Sequence, residues 1–249
     1  MIALFFLFGT AIGSFLNVVA DRLPAGKSIV SPPSSCPACQ RRLSAGDMIP
    51  IFSYLRLKGR CRYCGVTIPL RLLCVELGTG ILFAFLYWHY GLGWDLSVVA
   101  FYCCLFVALL VIDLERGILP NKIIYPGVVI ALLLSLVVGP GIKSAAIGGG
   151  VGFAFLLIPA LIWAAMGKEG MGWGDIKMAG LIGVVTGFPL VFVAMFLAVF
   201  GGGLIAVVLL LSKLKNRQDT IPFGPSLALA AMATLFWGNN LLGWYLGFS

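Results

Sequence analysis

Four cysteines stand in two C-x2-C pairs, Cys36-Pro-Ala-Cys39 and Cys61-Arg-Tyr-Cys64, with twenty-one residues between them. Four thiolates at this spacing suit one tetrahedral Zn2+, in an arrangement slightly longer than the usual zinc-ribbon separation. A site ligated wholly by cysteine has no open position, so the expected metal is structural and gives shape to a loop with little hydrophobic core. Cys74, Cys103 and Cys104 fall inside apolar runs, where thiols act as small hydrophobes.

The second chemical signal is a set of carboxylates at the ends of apolar runs. Asp113 and Glu115 close one run in VIDLERGILPN, and Asp175 stands in EGMGWGDIKMAG just before another. Glu115 and Glu169 read as solvated helix ends. Asp175 differs because Gly170, Gly172 and Gly174 leave the backbone bare, which suits the close approach of an extended chain. The run that follows, 176–188, spans only about 20 Å, short of a hydrocarbon core of about 30 Å. With Pro189 at its far end, Asp175 is expected somewhat below the membrane surface, where an ionisable group is a functional hypothesis. Asp113 ends a long run and is expected at similar depth on the same side. Two carboxyls brought together there do not readily both ionise; one keeps a proton while the other activates water, the acid–base pair that peptide hydrolysis needs. Spacing alone leaves open whether the third and sixth helices touch.

Other residues are weaker candidates. His89, the only histidine, lies beside Tyr87, Trp88 and Tyr90 and fits an interfacial aromatic belt. No serine has a histidine partner on the cytoplasmic side, which argues against a serine triad. The glycines at 148–150 and 201–203 sit in apolar runs and suit helix packing rather than phosphate binding.

The elements that must position these residues are membrane helices. The chain is 61% hydrophobic and 10% charged, with a mean hydropathy of +1.06, far from a soluble domain. Apolar runs cover residues 1–20, 72–90, 97–112, 123–138, 145–166, 176–188, 190–211 and 223–246. The expected fold is therefore an all-α polytopic membrane protein of about eight transmembrane helices. The first run lacks a basic leading segment and is too long for a signal peptide, so it is kept as a helix. Within it Gly9, Gly13 and Asn17 recur every four positions and share one face, suited to close packing or to substrate. Three regions result: a first helix at 1–21, a four-cysteine loop at 22–71 and a seven-helix core at 72–249.

The net charge of +8 is not a nucleic-acid signature, because nine of the seventeen Lys and Arg lie in residues 22–71, with a further cluster at Lys213, Lys215 and Arg217. This is positive-inside topology, with an anionic inner leaflet as the partner. A cytoplasmic loop at 22–71 places both termini outside and segments 113–122, 167–175 and 213–220 inside. In the reducing cytosol the paired cysteines favour metal over disulfides.

On these residues the chain resembles the bacterial type IV prepilin peptidases, the leader peptidase/N-methyltransferases, over nearly its whole length. Gly13-Ser14-Phe15-Leu16-Asn17 with Arg22-Leu23-Pro24 resembles the family's opening motif, and the cysteine pairs resemble its cytoplasmic zinc loop. Ile112-Asp113 through Leu119-Pro120-Asn121 is similar to its first aspartate motif. Gly172-Trp173-Gly174-Asp175-Ile176-Lys177 is similar to the second, the GxGD box shared with presenilin-like proteases. The resemblance implies that Asp113 and Asp175 are the catalytic pair of an inner-membrane aspartyl protease. It implies prepilin or pseudopilin substrates, cut at the cytoplasmic face after a glycine that precedes an apolar helix. It further implies methyl transfer from S-adenosylmethionine to the new N-terminus. No glycine-rich nucleotide loop marks that second site; Glu76, close to the cysteine loop, is a candidate. A proton-coupled transporter would predict inverted repeats and mid-membrane charges, and a non-enzymatic secretion-system assembly factor would leave the GxGD box without a purpose.

Overall fold

The computed structural model describes residues 1–167, 172–212 and 222–247. Glu169, Gly170, Lys213, Lys215 and Arg217, and with them the segment 213–220, lie outside the described residues.

The helices are α1 (Ile2–Arg22), α2 (Phe52–Arg56), α3 (Leu70–Tyr90), α4 (Trp94–Arg116), α5 (Asn121–Leu134), α6 (Ile142–Ala165), α7 (Trp173–Thr186), α8 (Leu190–Leu211) and α9 (Gly224–Leu246), with a short 3-10 turn at Ala45–Asp47. A helix covers each of the eight apolar runs, so the fold is the all-α polytopic one expected. Among the described residues α1, α3, α4, α6 and α8 are long and apolar enough to cross a membrane. Two boundaries differ from the sequence expectation in ways that matter. α4 continues past the apolar run and carries Asp113 within its last turns; α7 starts at Trp173, which puts Asp175 inside its first turn. Polar residues continue a helix when its end lies at an interface where their side chains are satisfied, so hydropathy marks helix ends poorly.

The chain divides into two compact units, Met1–Val111 and Ile112–Ser249, the boundary falling within α4. In the first unit α1 packs along α3 through small residues. A methyl added at Gly9 would lie 2.7 Å from Phe83 Cβ, and one at Gly13 would lie 2.8 Å from Glu76 Cα. Gly80 answers from α3, against Thr10 and Phe6. Asn17, on the same face, donates from Nδ2 to Leu72 O at 3.1 Å. Stacked Phe5 and Tyr87, 4.5 Å apart, extend the contact. The period-four pattern is thus a packing face, where closeness of backbones substitutes for the hydrophobic drive that lipid cannot supply. His89 packs against Phe85 and Tyr90.

In the second unit α7 is the centre, packed against α5, α6, α8 and α9. Its Ile176, Met178, Leu181 and Ile182 are fully buried. A 14-residue helix reaches about 21 Å, too short for a lipid-facing span but sufficient for one sheathed by longer neighbours. Gly148, Gly149 and Gly152 of α6 meet Gly183, Val184 and Ala179 of α7 directly, so any side chain at Gly148 or Gly183 would collide with the opposing backbone. Gly202 of α8 abuts Phe223 and Ser226, whereas Gly150, Gly201 and Gly203 face open space. Gly187, at φ 72°, ends α7 in a conformation open to glycine and leads to Pro189 at the start of α8.

Candidate active site and metal centre

The cysteine loop consists of two knuckles of the same build. In the first, Cys36 N–H donates to Arg41 O at 3.0 Å, Gln40 N–H donates to Cys36 O at 2.9 Å, and Ser35 bridges Arg42. In the second, Cys61 N–H donates to Val66 O at 2.8 Å, Gly65 N–H donates to Cys61 O at 3.0 Å, and Arg60 bridges Thr67. The fourth residue after each leading cysteine turns left-handed, Gln40 at φ 59° and Gly65 at φ 70°. Each turn folds its two sulfurs to one side.

All four Sγ atoms lie within 4.8 Å of one another, and Cys36 Sγ is 3.8 Å from Cys64 Sγ. A tetrahedron with Zn–S bonds of about 2.3 Å has edges of about 3.8 Å, so the donor set fits zinc. The thiol chemistry agrees. Backbone N–H groups of Cys39 and Ala38 bring Cys36 down to about 6. At Cys64 the Val66 N–H acts downward, but burial and the sulfurs of Cys61, Cys36 and Cys39 outweigh it and push the thiol up to about 11. Four thiolates this close repel until a cation joins them.

The loop is braced from within. Asp47 Oδ2 accepts from Ser44 Oγ at 2.7 Å and from Ser44 N–H at 3.2 Å, while Oδ1 lies 2.7 Å from Arg62, in a charge contact not aligned as a hydrogen bond. This ties the 3-10 turn to the second knuckle and holds Asp47 below the usual carboxylate range, Ser44 contributing most. Glu76, 8% exposed on α3, accepts the Ile51 N–H on Oε2 at 2.8 Å. Ile51 itself has φ 61°, rare for a β-branched residue, so that carboxylate secures a turn its own sequence disfavours. Asn17 uses its amide nitrogen on Leu72 and leaves Oδ1 buried without a partner.

Both aspartates lie in the second unit, in motifs that pack on each other. Asp113 is 5% exposed, and its Oδ2 is buried without a hydrogen-bond partner. Gly224, the first residue of α9, is pressed against this carboxyl. A methyl on Gly224 would lie 2.5 Å from Asp113 Oδ2, so only hydrogen fits there. Asp175 follows the N-cap Gly172, to whose carbonyl its N–H donates at 3.1 Å; a methyl on Gly172 would lie 3.3 Å from Asp175 Oδ2. Gly174 has a different task, since a methyl there would lie 2.9 Å from Leu119 Cβ. The two aspartate motifs also interlock through Lys177, whose Nζ donates to Asn121 Oδ1 at 3.0 Å and stands 5.6 Å over the Tyr125 ring.

Sequence reasoning missed Gly224 and the Asn121–Tyr125 seat of Lys177. The available signal for the first was a glycine between prolines, Pro222-Phe223-Gly224-Pro225, at the foot of the last apolar run. Nothing in the spacing links Gly224 to Asp113 across more than a hundred residues.

Residues 7–90 match the Bacterial Peptidase A24 N-terminal domain, and residues 99–207 match the Type IV leader peptidase family. The chain is 33% identical to the prepilin leader peptidase/N-methyltransferase of Aeromonas salmonicida strain A449, over 98% of this chain and 93% of that protein. It is 31% identical to the protein of the same name from Bacillus subtilis strain 168, over 99% and 98%, and 31% identical to that of Pseudomonas aeruginosa PAO1, over 98% and 92%. No solved structure matches the chain. Both halves match consecutive domains of one architecture, and likeness of this degree runs end to end through proteins carrying one name, so this multi-pass membrane protein belongs to the type IV leader peptidase family.

Proposed function

We propose that the protein is a prepilin leader peptidase in which Asp113 and Asp175 are the acid–base pair, and that it also N-methylates the N-terminus it releases. One observation carries the reading. Two carboxylates sixty-two residues apart stand on motifs that pack on each other, with Gly224 leaving no room for a side chain against Asp113 and Gly172 lying close beside Asp175. One carboxylate takes a proton from water as the water oxygen attacks the scissile carbonyl carbon. The other, still protonated, donates to the carbonyl oxygen, and the C–N bond breaks as a proton passes to the leaving amine. A pair sharing one proton performs both transfers without a metal.

The relatives' printed name supports prepilins as the substrate class; pseudopilins as further substrates, and a cut after a glycine that precedes an apolar helix, are the finer reading that the motif resemblance adds. Charge clustering supports an inner-membrane protein with the loop at 22–71 and the catalytic pair near the cytoplasmic face, both termini outside, and an anionic leaflet against the basic loop. The division into a helix at 1–21, a zinc unit at 22–71 and a protease core at 72–249 follows the same reasoning. Cys36, Cys39, Cys61 and Cys64 would hold a Zn2+ whose contribution is to loop folding. S-adenosylmethionine, when bound, supplies an electrophilic methyl; Glu76 and Asn17 are the candidates for positioning groups on that step, Asn17 by virtue of its unpartnered Oδ1. Gly172, Gly174 and Lys177 shape the protease site.

The test is mass spectrometry of a prepilin co-expressed with the parent or with Asp113→Asn or Asp175→Asn. A leader retained with either variant, with the enzyme still in the membrane, supports the pair; processing at the parental rate overturns it.

A further inference from the structure

α2 and the turn before it expose a continuous apolar edge that proteolysis does not use. Met48, Ile49, Phe52 and Leu55 are between 47% and 63% exposed; Phe52 and Leu55, three apart, share one side of α2, and Met48 and Ile49 lie in the turn that leads into it. Arg56, Lys58 and Arg60 follow at once, all exposed, and the loop at 22–71 carries nine basic residues against the single acid Asp47.

The opposite side of this segment is fixed to α3. Ile51 N–H reaches Glu76 Oε2 at 2.8 Å, Tyr54 Oη donates to Ile68 O at 3.4 Å, and Ile68 N–H returns to Gly59 O at 2.7 Å. Glu76 stands six residues into α3, about 9 Å along its axis, and helical side chains lean back toward the N-terminus. The hydrogen bond therefore holds α2 level with the first two turns of a membrane-spanning helix. A helix of 21 residues is about 32 Å long and only just crosses a core of about 30 Å, so this end of α3 is expected at the acyl–headgroup boundary, where apolar side chains and cations among phosphates are both satisfied.

We propose that residues 48–60 form an interfacial anchor, with Met48, Ile49, Phe52 and Leu55 seated at the acyl boundary and Arg56, Lys58 and Arg60 engaging anionic headgroups. The occupant is lipid because the edge is apolar, its border is cationic, and its height is set by a bond to a spanning helix. The anchor is independent of the catalytic reading.

The experiment places the photo-cross-linker benzoylphenylalanine at Leu55 in the full chain, an exposed position that tolerates the larger side chain. The protein is reconstituted in discs of phosphatidylcholine mixed with phosphatidylglycerol, and adducts are identified by mass. Leu204 on α8, 57% exposed, gives the yield of an ordinary lipid-facing position. Lipid adducts at Leu55 comparable to those at Leu204, with phosphatidylglycerol over-represented about fivefold or more against its share of the disc, are expected. Arg56→Gln with Lys58→Gln should return that ratio toward the lipid composition. Adducts to prepilin, to a second copy or to another segment of the chain would overturn the proposal, as would a Leu55 yield far below that at Leu204. Lipid adducts without enrichment would overturn the anionic part.

Discussion

The four-cysteine cluster and the two aspartate motifs are assembled at opposite ranges along the chain. The four cysteines fall within twenty-nine residues, and two local turns aim them. The aspartates stand sixty-two residues apart on α4 and α7, and their setting is completed by Gly224 of α9, which packs on α7. The first site depends on backbone turns that each knuckle makes by itself, and the second on glycines that let helices close. Damage to one should therefore leave the other's signature largely intact.

The sharpest break is chemical. Asp113→Asn or Asp175→Asn should lower cleavage by roughly 10³-fold, since an amide keeps the shape but cannot exchange the proton. Zinc content, read by metal analysis of the same preparations, should stay at one per chain. The parent's rate should fall on both the acid and alkaline sides, because a pair sharing one proton works only between its two apparent constants. A flat profile across the range where the protein stays folded would argue against the pair.

Removal of zinc ligation comes next. Cys36→Ser or Cys61→Ser should abolish stoichiometric zinc and expose residues 22–71 to protease, as a closed thiolate site supplies much of a small loop's folding energy. Cleavage should survive in part, with methylation assayed separately. Unchanged protection and both activities in all four serine variants would leave the cysteines as ordinary thiols.

A packing change should reach the catalytic pair without touching the metal. Gly224→Ala places a methyl 2.5 Å from Asp113 Oδ2 and should lower kcat about 10²-fold with KM little altered. Gly172→Ala, at 3.3 Å from Asp175 Oδ2, leaves more room and should lose about tenfold or less. Equal effects, or a loss confined to KM, would separate Gly224 from the positioning of Asp113.

The smallest effects test the likeness of the two knuckles. Gly65→Ala meets no neighbour, so its only penalty is the left-handed backbone, about 1 kcal/mol of loop stability by zinc-competition titration. Gln40→Gly, at the equivalent position, should gain a similar or smaller amount. Acid should also loosen the brace at Asp47. A carboxyl held below its ordinary value in the folded loop contributes stability that is complete above about pH 4 and is lost as the pH falls through the folded value. Proteolysis of the loop in a pH series, with Asp47→Asn flattening the acid side, reads this directly.

The eight apolar helices, the grouping of four cysteines at a spacing that suits zinc, and the suspicion attached to Asp113 and Asp175 were legible in the sequence. Hydropathy over about twenty residues and a C-x2-C pair are signals contained in one stretch of chain. So was the shared face of Gly9, Gly13 and Asn17, whose period suits close packing or substrate; that α3 fills it was not. Three things were decided only by tertiary structure: that Asp175 lies inside the first turn of α7, that Gly224 is pressed on Asp113, and that Lys177 is seated on Asn121 and Tyr125. Each depends on which helix faces give up their side chains to neighbours. An apolar helix buried all round carries little periodicity to announce its partners, so the sequence determined which residues could do chemistry and the packing decided which of them meet.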